Sequence, residues 1–397
     1  MIILHIISSL DPAHGGTSQA IRSIVPSLLE LGVNNEVVCC DNADAPFLGK
    51  DEFKVNAVGS AKGPWGYSNN LMQWLLANVK RFDAVVVHGL WQHHGYAASK
   101  AVHQINRTPG LSKRIRLYVM PHGMLDPYFQ KASGRRLKAI RNILYWRFIE
   151  SRIINNSDGM LFTCQDELLL ARKTFRPYHP KKELVVGLGV HRPPVYVSEM
   201  TQAFADRCPQ ISNQPYFLFL SRINEKKGTD LLINAYIDTF NSSLNGHIAF
   251  PKLVVAGPGL DSTYGQYVKK IANESPLADH IFFPGMLVKN SKWGAFYGCE
   301  AFVLPSHQEN FGIAVVEALA CNKAVLISNQ INIWREIEAA GGGIVADDTY
   351  EGTKTLLQRW TAFSDIQKIK MGDDALEAYN KNFSLGPPAH KMKNAIS

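Results

Sequence analysis

The sequence predicts two α/β domains, each built on a parallel sheet that is covered by helices. Its 397 residues, of which 46% are hydrophobic, exceed the length at which a single core usually stops growing. Short β-rich apolar runs recur along the chain, and the helix-period segments between them are typical of a parallel sheet. A polar, proline-containing stretch at 191–214 interrupts this alternation and predicts the boundary between the domains.

The strands of the two predicted sheets follow from the apolar runs. The first sheet is expected to contain Ile2–Ile7, Glu36–Cys40, Ala84–His88, Arg116–Met120, Gly159–Phe162 and Leu184–Val186. The second is expected to contain Tyr216–Leu220, Leu253–Ala256, Ile281–Phe283, Ala301–Leu304 and Ala324–Ser328. We expect an N-terminal domain at 1–190, a linker at 191–214, a second domain at 215–380, and a segment at 381–397 that returns to the first domain.

The composition narrows the class of protein. The six cysteines show no C-x-x-C spacing, so neither disulfides nor structural zinc is expected, and a reducing, cytoplasmic compartment is predicted. No apolar run approaches the roughly 20 residues that a membrane helix needs, so any membrane contact is expected to be peripheral, at the inner face of the plasma membrane. The net charge of +8 predicts an anionic partner without identifying it.

Because ligands of open parallel sheets bind beyond the carboxyl ends of the strands, the residues after each strand are the candidates for function. The strand that ends at Leu220 is followed by SRINEKKG at 221–228. Arg222 offers a planar fork and Lys227 a point charge to phosphate oxygens, and such charge-assisted bonds contribute about 1.5–3 kcal/mol each. The alternative is an ordinary basic loop beside a helix.

A second candidate follows the strand at 301–304, where the sequence PSHQENFGIAVVEALA predicts a turn and a helix of small residues. Unpaired N–H groups at 310–313 would form an anion site at the helix start. Glu309 and Glu317 are separated by up to ~12 Å along a helix, which matches the reach from a ribose to its attached sugar. Glu317 lies among apolar residues, so its carboxylate needs a partner, either a ribose diol or a lysine.

The first half offers weaker candidates. Gly16 belongs to a glycine pair that either lets the backbone approach a ligand or makes a tight turn. His122 follows a strand, where it either contacts the transferred sugar or is tethered to local backbone. The residues considered for an acceptor pocket, which otherwise fill loops, are His88, Trp91, His93 and Asp126.

The stretch 131–152 is basic and aromatic and predicts an amphipathic helix with a cationic flank. It lies on anionic lipid, meets an acidic acceptor, or is solvated on one face. The sequence has no Asp-x-Asp, no phosphate loop of the G-x-x-x-x-G-K-[ST] type, no G-x-S-x-G and no G-x-G-x-x-G after a strand. Metal-dependent transfer, P-loop chemistry, serine hydrolysis and dinucleotide binding therefore lose their usual support.

In this order and after successive strands, the motifs resemble those of the retaining glycosyltransferases of family four. These enzymes have the GT-B fold, in which two Rossmann-like domains face each other across a cleft. The motifs are PAHGGT at 12–17, HGLW at 88–91, PHGMLDP at 121–127, SR at 221–222 with KG at 227–228, AGPG at 256–259, FPG at 283–285, and two glutamates at 309 and 317.

The resemblance implies a role for most of the candidate residues. Arg222 and Lys227 would bind the diphosphate, Glu317 the ribose and Glu309 the hydroxyls of the donor sugar. Gly16 would bind phosphate through its backbone, and His122 would lie beside the reacting centre. The segment 284–287 would meet the base through backbone atoms. Further donor contacts are expected at Gly257, Met286, Leu287, Asn310, Phe311, Gly312 and Ile313.

The resemblance further implies transfer of a hexose from a UDP-sugar, UDP-glucose above all, to a saccharide or lipid-linked acceptor. It implies polysaccharide synthesis that needs no metal, no other cofactor and no nucleic acid. One alternative keeps the fold but makes the protein a sugar-nucleotide epimerase or a phosphorylase. A different alternative is a basic, non-catalytic protein that binds polyanions.

Overall fold

A computed structural model describes residues 1–111, 113–131, 135–211, 214–243 and 250–397. The chain forms two compact units, of which the first is Met1–Gly189 together with Leu385–Ser397 and the second is Val190–Ser384. The stretch 191–214, which the sequence predicted to be a linker, belongs to the second unit and contains a helix at Ser198–Ala205.

The first unit contains a sheet of seven strands, all paired in parallel. The strands are β1 Ile2–Ile7, β2 Asn34–Cys39, β3 Lys54–Ala57, β4 Ala84–His88, β5 Arg116–Met120, β6 Gly159–Phe162 and β7 Glu183–Val185. Their order across the sheet is β3-β2-β1-β4-β5-β6-β7. The central strand β4 is buried along its whole length, which explains why its residues 84–87 are all apolar rather than alternating.

The second unit contains six parallel strands in the equivalent order. These are β8 Tyr216–Leu220, β9 Lys252–Ala256, β10 Ile281–Gly285, β11 Ala301–Leu304, β12 Val325–Ser328 and β13 Gly343–Ala346, arranged as β10-β9-β8-β11-β12-β13. The predicted pair of doubly wound parallel sheets is therefore confirmed. In this strand order the ligand crevice lies beyond the carboxyl ends of the two strands where the order reverses, β1 and β4 in one unit and β8 and β11 in the other.

Helices cover both faces of the first sheet. The helices of the first unit are α1 Gly16–Glu30, α2 Asn69–Asn78, α3 His93–Asn106, α4 Tyr128–Lys131, α5 Arg136–Tyr145, α6 Ser151–Asn156, α7 Gln165–Thr174 and, at the end of the chain, α16 Gly386–Ile396. Those of the second unit are α8 Ser198–Ala205, α9 Thr229–Ser243, α10 Thr263–Glu274, α11 Lys289–Gly298, α12 Ile313–Ala320, α13 Trp334–Ala339, α14 Tyr350–Thr361 and α15 Asp365–Ala378. One core joins α1 and α16 to the sheet through Ile21, Leu28 and Met392. The core on the other face joins α2, α3 and α6 through Leu71 and Ile153.

The basic, aromatic stretch 131–152 lies in a helical run of the first unit. Helix α5 continues through a π-helical turn, Trp146–Glu150, into α6, and the residues 132–134 of the predicted stretch lie outside the described residues. In the described part of the chain, every helix is too short or too polar to cross a bilayer.

Candidate functional site

The loop after β8 carries the two predicted phosphate-binding cations of the second unit. Lys227 is 6% exposed, and its Nζ forms an ion pair with Oε2 of Glu309. Arg222 is exposed and has no ion-pair partner among the described residues. The loop therefore holds one cation against a carboxylate and presents the other to solvent, at the carboxyl edge of the sheet.

Backbone contacts explain why Lys227 reaches Glu309. Gly228 has a φ of +64°, and a Cβ there would lie 2.4 Å from the carbonyl oxygen of Pro305. The carbonyl oxygen of Lys226 accepts hydrogen bonds from the N–H of His307 (2.8 Å) and the hydroxyl of Ser306 (3.0 Å). Only glycine permits this close, left-handed approach, which brings the loops after β8 and β11 together.

The charge on Lys227 is set by opposing effects. Burial lowers the pKa of its ammonium group, and the positive charges of Lys226 and Arg222 lower it further. The carboxylate of Glu309 opposes these effects because it stabilises the ammonium form. A second anion at this place, such as a diphosphate, would raise the pKa of Lys227 and strengthen the cationic site.

The turn before α12 fixes Glu309 and leaves a helix start open. The N–H of Glu309 donates to Gln330 O (2.9 Å), and its carbonyl accepts from the N–H of Asn332 (3.0 Å). Helix α12 begins after Gly312, which has a φ of 76° and provides no side-chain cap. In the chain as described, the N–H groups of Phe311, Gly312 and Ile313 donate no hydrogen bond, so they suit an anion.

Glu317 has the lysine partner that the sequence left as one of two possibilities. Its Oε1 lies 2.6 Å from Nζ of Lys292 on α11, and both side chains are largely buried. Burial raises the pKa of Glu317, and the ion pair with Lys292 opposes that increase. Oε2 of Glu317 has no hydrogen-bond partner within the described ranges, so one carboxylate oxygen remains for a ribose hydroxyl.

The remaining donor-site candidates of the second unit lie on neighbouring loops. Gly257 has a φ of +141°, and a Cβ there would lie 1.8 Å from Ser221 O, so glycine is required where the loops after β8 and β9 meet. Met286 is 60% exposed, whereas the side chain of Leu287 is buried in the interior. Asn310 is joined to Asn332 by a side-chain hydrogen bond of 3.4 Å. Of the two predicted donor contacts Met286 and Leu287, only Met286 presents its side chain to solvent.

The first unit has a cavity of about 600 Å³ at its own strand-order reversal. It is lined by residues at and after the ends of β1, β2 and β4, by the start of α1 and by α5, among them Ser9, Thr17, Asp41, His88, Trp91 and Arg141. The carboxylate of Asp41 accepts hydrogen bonds from the Ser9 hydroxyl (2.6 Å) and the Leu10 N–H (2.8 Å), so it shapes the loop after β1. Hydroxyl, carboxylate, imidazole and indole groups together suit a saccharide.

The other acceptor candidates do not line this cavity. Nδ1 of His93 accepts from the N–H of Ser68 (3.3 Å), and the His93 ring packs against Tyr67. Asp126 is 7% exposed, and its Oδ1 accepts from the N–H of Tyr128 (2.8 Å), so it stabilises the turn before α4. Gly16, the predicted donor contact of this unit, is exposed as the first residue of α1, whose N-terminus has no side-chain cap.

His122 belongs to a cluster that sequence reasoning missed. Its Nε2 lies 2.9 Å from Nδ1 of His88, and Nε2 of His88 lies 2.9 Å from Nδ1 of His5. The alternative that His122 is tethered only to local backbone is therefore wrong. The signal was present in the sequence, since His5 is a lone polar residue in the apolar strand IILHII.

Two further residues with no motif also support the site. The carboxylate of Glu150 accepts the N–H of Trp91 (3.0 Å) and holds the loop after β4. Lys292 was missed because it lies on α11, far in sequence from its partner Glu317. Nothing in the local sequence distinguishes either residue from a solvated surface charge.

The family of the protein follows from comparison with known sequences. Residues 15–189 match the family model of the glycosyl transferase 4-like domain, and residues 203–360 match that of glycosyl transferases group 1. The predicted resemblance is thus confirmed: the chain belongs to the group 1 glycosyltransferases.

Several characterised proteins are similar over parts of the chain. D-inositol 3-phosphate glycosyltransferase of Acidothermus cellulolyticus is 23% identical over 33% of this chain and 29% of its own length. Alpha-monoglucosyldiacylglycerol synthase of Acholeplasma laidlawii is 23% identical over 47% of this chain and 46% of its own length. The chain thus matches less than half the length of these relatives.

Solved structures agree over the full chain and show the fold. Anabaena Alr3699/HepE in complex with UDP superposes with a TM-score of 0.75 at 14% identity, covering 100% of this chain and 99% of HepE. A glycosyltransferase from Rickettsia africae superposes with a TM-score of 0.74 at 16% identity, covering 100% of this chain and 97% of its own. The two parallel-sheet units therefore have the GT-B fold.

Proposed function

We propose that this glycosyltransferase moves a hexose, with glucose as the first candidate, from a UDP-sugar to a hydroxyl group of a saccharide or lipid-linked saccharide. Transfer would retain the configuration of the sugar and serve glycolipid or polysaccharide synthesis. The observation that carries the proposal is the group formed by Lys227, Glu309 and the exposed Arg222 beside the uncapped start of α12. The structures of HepE with UDP and with UDP-glucose support the choice of donor.

The proposed chemistry is the departure of a nucleoside diphosphate from the anomeric carbon of the sugar. Arg222 and Lys227 would stabilise the developing charge together with the N–H groups of 311–313. The loop contacts at Gly228 hold the backbone of the two loops in place before the substrate arrives, so that mainly the Lys227 side chain has to move. Since the protein's own cations supply the charge, we propose that no metal is required.

The two glutamates would bind the sugar nucleotide on either side of the diphosphate. One oxygen of Glu317 remains for a ribose hydroxyl, while the ion pair with Lys292 favours the ionised form of the carboxylate. Glu309 would accept from hydroxyls of the hexose, and its ion pair with Lys227 would loosen as the lysine turns to the phosphate. We propose that His122 contacts a hydroxyl of a substrate sugar and that the cavity lined by His88 and Trp91 binds the acceptor.

The test is nucleotide release from UDP-, GDP- and ADP-sugars in EDTA. Release from UDP-sugars despite chelation would support both the donor and metal independence. The variants Arg222→Ala and Lys227→Ala should each lower kcat at least ~100-fold, as loss of one charge-stabilising group does. Lys270→Ala, at an exposed lysine of the same unit, is the control. Normal rates in both site variants would refute the assignment.

We also propose that the run from α5 to the π-helical turn binds the anionic inner face of the plasma membrane from the cytoplasm. Leu137 is 85% exposed and Phe148 62% exposed, and exposed apolar side chains also lie between them at 140, 143 and 144. Cationic residues flank this face at 136, 138 and 147. An exposed apolar face with cations at its border is the pattern of an interfacial helix.

A further inference from the structure

Four side chains of the first unit form one hydrogen-bonded chain that crosses four neighbouring strands. Asn35 lies in β2, His5 in β1, His88 at the end of β4, and His122 directly after β5. Nε2 of His5 lies 3.0 Å from Oδ1 of Asn35 and its Nδ1 lies 2.9 Å from His88. The contact between His88 and His122, also 2.9 Å, ends the chain.

The amide of Asn35 sets the direction of every hydrogen bond in this chain. Its Nδ2 donates to the carbonyl oxygen of Val33 (2.7 Å), so the atom that faces His5 is Oδ1, which only accepts. His5 therefore carries its proton on Nε2. A neutral imidazole has one donor and one acceptor, so Nδ1 of His5 accepts from His88, and Nδ1 of His88 accepts from His122.

Burial favours the neutral form of all three rings, which this directionality requires. Burial lowers the pKa of His5 to about 4, and the hydrogen bond to Asn35 only partly opposes it. Burial also lowers the pKa of His122 to about 4. At His88 the pKa falls well below its ordinary value because of burial and the neighbouring His122, His5 and His94 rings.

The backbone at the end of the chain is also fixed. His122 has a φ of 51°, and the following Gly123 donates its N–H to Oε1 of Glu167 (2.5 Å). Oε2 of the same carboxylate accepts from the N–H (2.7 Å) and hydroxyl (2.6 Å) of Thr163, after β6. The turn that bears His122 is thereby tied to the segment that follows β6.

We propose that Asn35, His5 and His88 are positioning residues that hold the His122 proton on Nε2 and leave a lone pair on Nδ1. In the described residues, Nδ1 of His122 has no hydrogen-bond partner, and the side chain is half-buried next to the cavity that His88 lines. His122 then acts only as a hydrogen-bond acceptor. It selects a hydroxyl group over a carboxylate or phosphate oxygen, which has no proton to donate.

The identity of the recognised group as a sugar hydroxyl rests on the proposed function, whereas the location of the proton does not. Imidazole ¹⁵N NMR of the full chain, labelled at histidine, reads this location directly. Loss of a signal in His122→Gln assigns the ring. At pH 7 we expect a protonated Nε2 and an unprotonated Nδ1 at His122. A protonated Nδ1 in the wild-type protein would overturn the proposal without any variant.

The variant Asn35→Leu tests whether the far end of the chain controls His122. Removing the acceptor lets the three protons reverse, so the His122 signals should shift toward the Nδ1-protonated form. Asn106→Leu is the matched control, because Asn106 is also half-buried and donates from Nδ2 to a carbonyl, that of Ile115 (2.8 Å), outside the chain of rings. An unchanged His122 tautomer in Asn35→Leu would contradict the proposal.

Measurements of transferase activity distinguish a failure of the positioning role from a failure of the proposed function. In steady-state transfer from UDP-glucose, Asn35→Leu should lower kcat/KM about tenfold, as expected for one lost hydrogen bond, while Asn106→Leu should not. If the wild-type protein turns over no sugar nucleotide, the proposed function fails while the NMR result still decides the proton's location. If both variants lower kcat/KM equally, the positioning role is refuted even though transfer stands.

Discussion

Lys227 and Glu309 form an ion pair, so each residue lowers the free-energy cost of burying the other's charge. The variant Glu309→Ala leaves the nearly buried ammonium group of Lys227 without its counterion, so we expect the free energy of unfolding to fall by about 2 kcal/mol. This loss is smaller than the roughly 3–5 kcal/mol for breaking a fully buried pair, because Glu309 is partly exposed. The double variant Lys227→Met/Glu309→Ala should recover much of this loss. Urea unfolding of the wild-type protein, the two single variants and the double variant measures the coupling free energy of the pair, and a double variant whose loss equals the sum of the single losses would contradict the coupling.

Gly228 is expected to be indispensable because a side chain there would clash with the backbone. Gly32 serves as a control, since it has a similar φ without the clash. Gly228 and Gly32 both have left-handed backbone, with φ of +64° and +74°, but only at Gly228 would a Cβ meet the carbonyl oxygen of Pro305. Gly32→Ala should cost about 1 kcal/mol of stability from backbone strain alone. Gly228→Ala should cost about 3 kcal/mol because overpacking adds to the strain. It should also weaken UDP binding in calorimetry, and equal effects of the two changes would refute the clash.

Strands were predictable wherever they are buried on both faces. Central strands such as β4 and β11 contain continuous apolar runs, at 84–87 and 301–304, and the sequence predicted both strands with the bounds observed. The two missed strands, β3 and β13, lie at sheet edges and are only partly buried, so their sequences lack such a run. Tertiary contact rather than local pattern makes these segments strands.

Candidate site residues could be proposed from the sequence where they lie close to a strand end, and not where they are brought in by pairing across the fold. Arg222 and Glu309 lie in the loops that follow strands, whereas Lys292 is singled out only by its partner 25 positions away. The same reason explains why His5 and Asn35 were not expected near His122. Contacts between neighbouring strands depend on sheet order, which apolar patterning does not specify.

The exposed face of α5 and the following turn predicts lipid binding that depends on apolar residues and charge together. Replacing Leu137, Leu144 and Phe148 with serine removes side chains that contribute on the order of 2 kcal/mol each when fully buried in lipid. Sedimentation with phosphatidylglycerol vesicles should then fall more than tenfold. The control is Ile366→Ser/Ile369→Ser, two exposed isoleucines of α15 in the second unit. Equal binding by both variants would contradict the membrane role.

The two units are expected to respond differently to acid, because the histidines of the described residues whose pKa falls furthest lie in the first. The pKa values of His5, His94 and His122 are each lowered by burial to about 4, whereas unfolded histidine has a pKa of 6.5. Between these values the unfolded chain binds more protons than the folded chain, so stability falls as the pH falls from 6.5 toward 4. A single shift of this size is worth about 3 kcal/mol.

Glu150 makes stability depend on pH in the opposite direction from the histidines. Burial raises its pKa from 4.5 to about 7, partly opposed by the Trp91 N–H, so its contribution to stability is lost as the pH rises through that range. Glu150→Gln should therefore unfold at higher temperature than wild type at pH 8 and at the same temperature at pH 4.

Hydrogen exchange tests the prediction for the histidines. At pH 5, peptides of 1–189 should exchange before those of 190–384, and simultaneous exchange in both units would show that the histidines do not control acid stability.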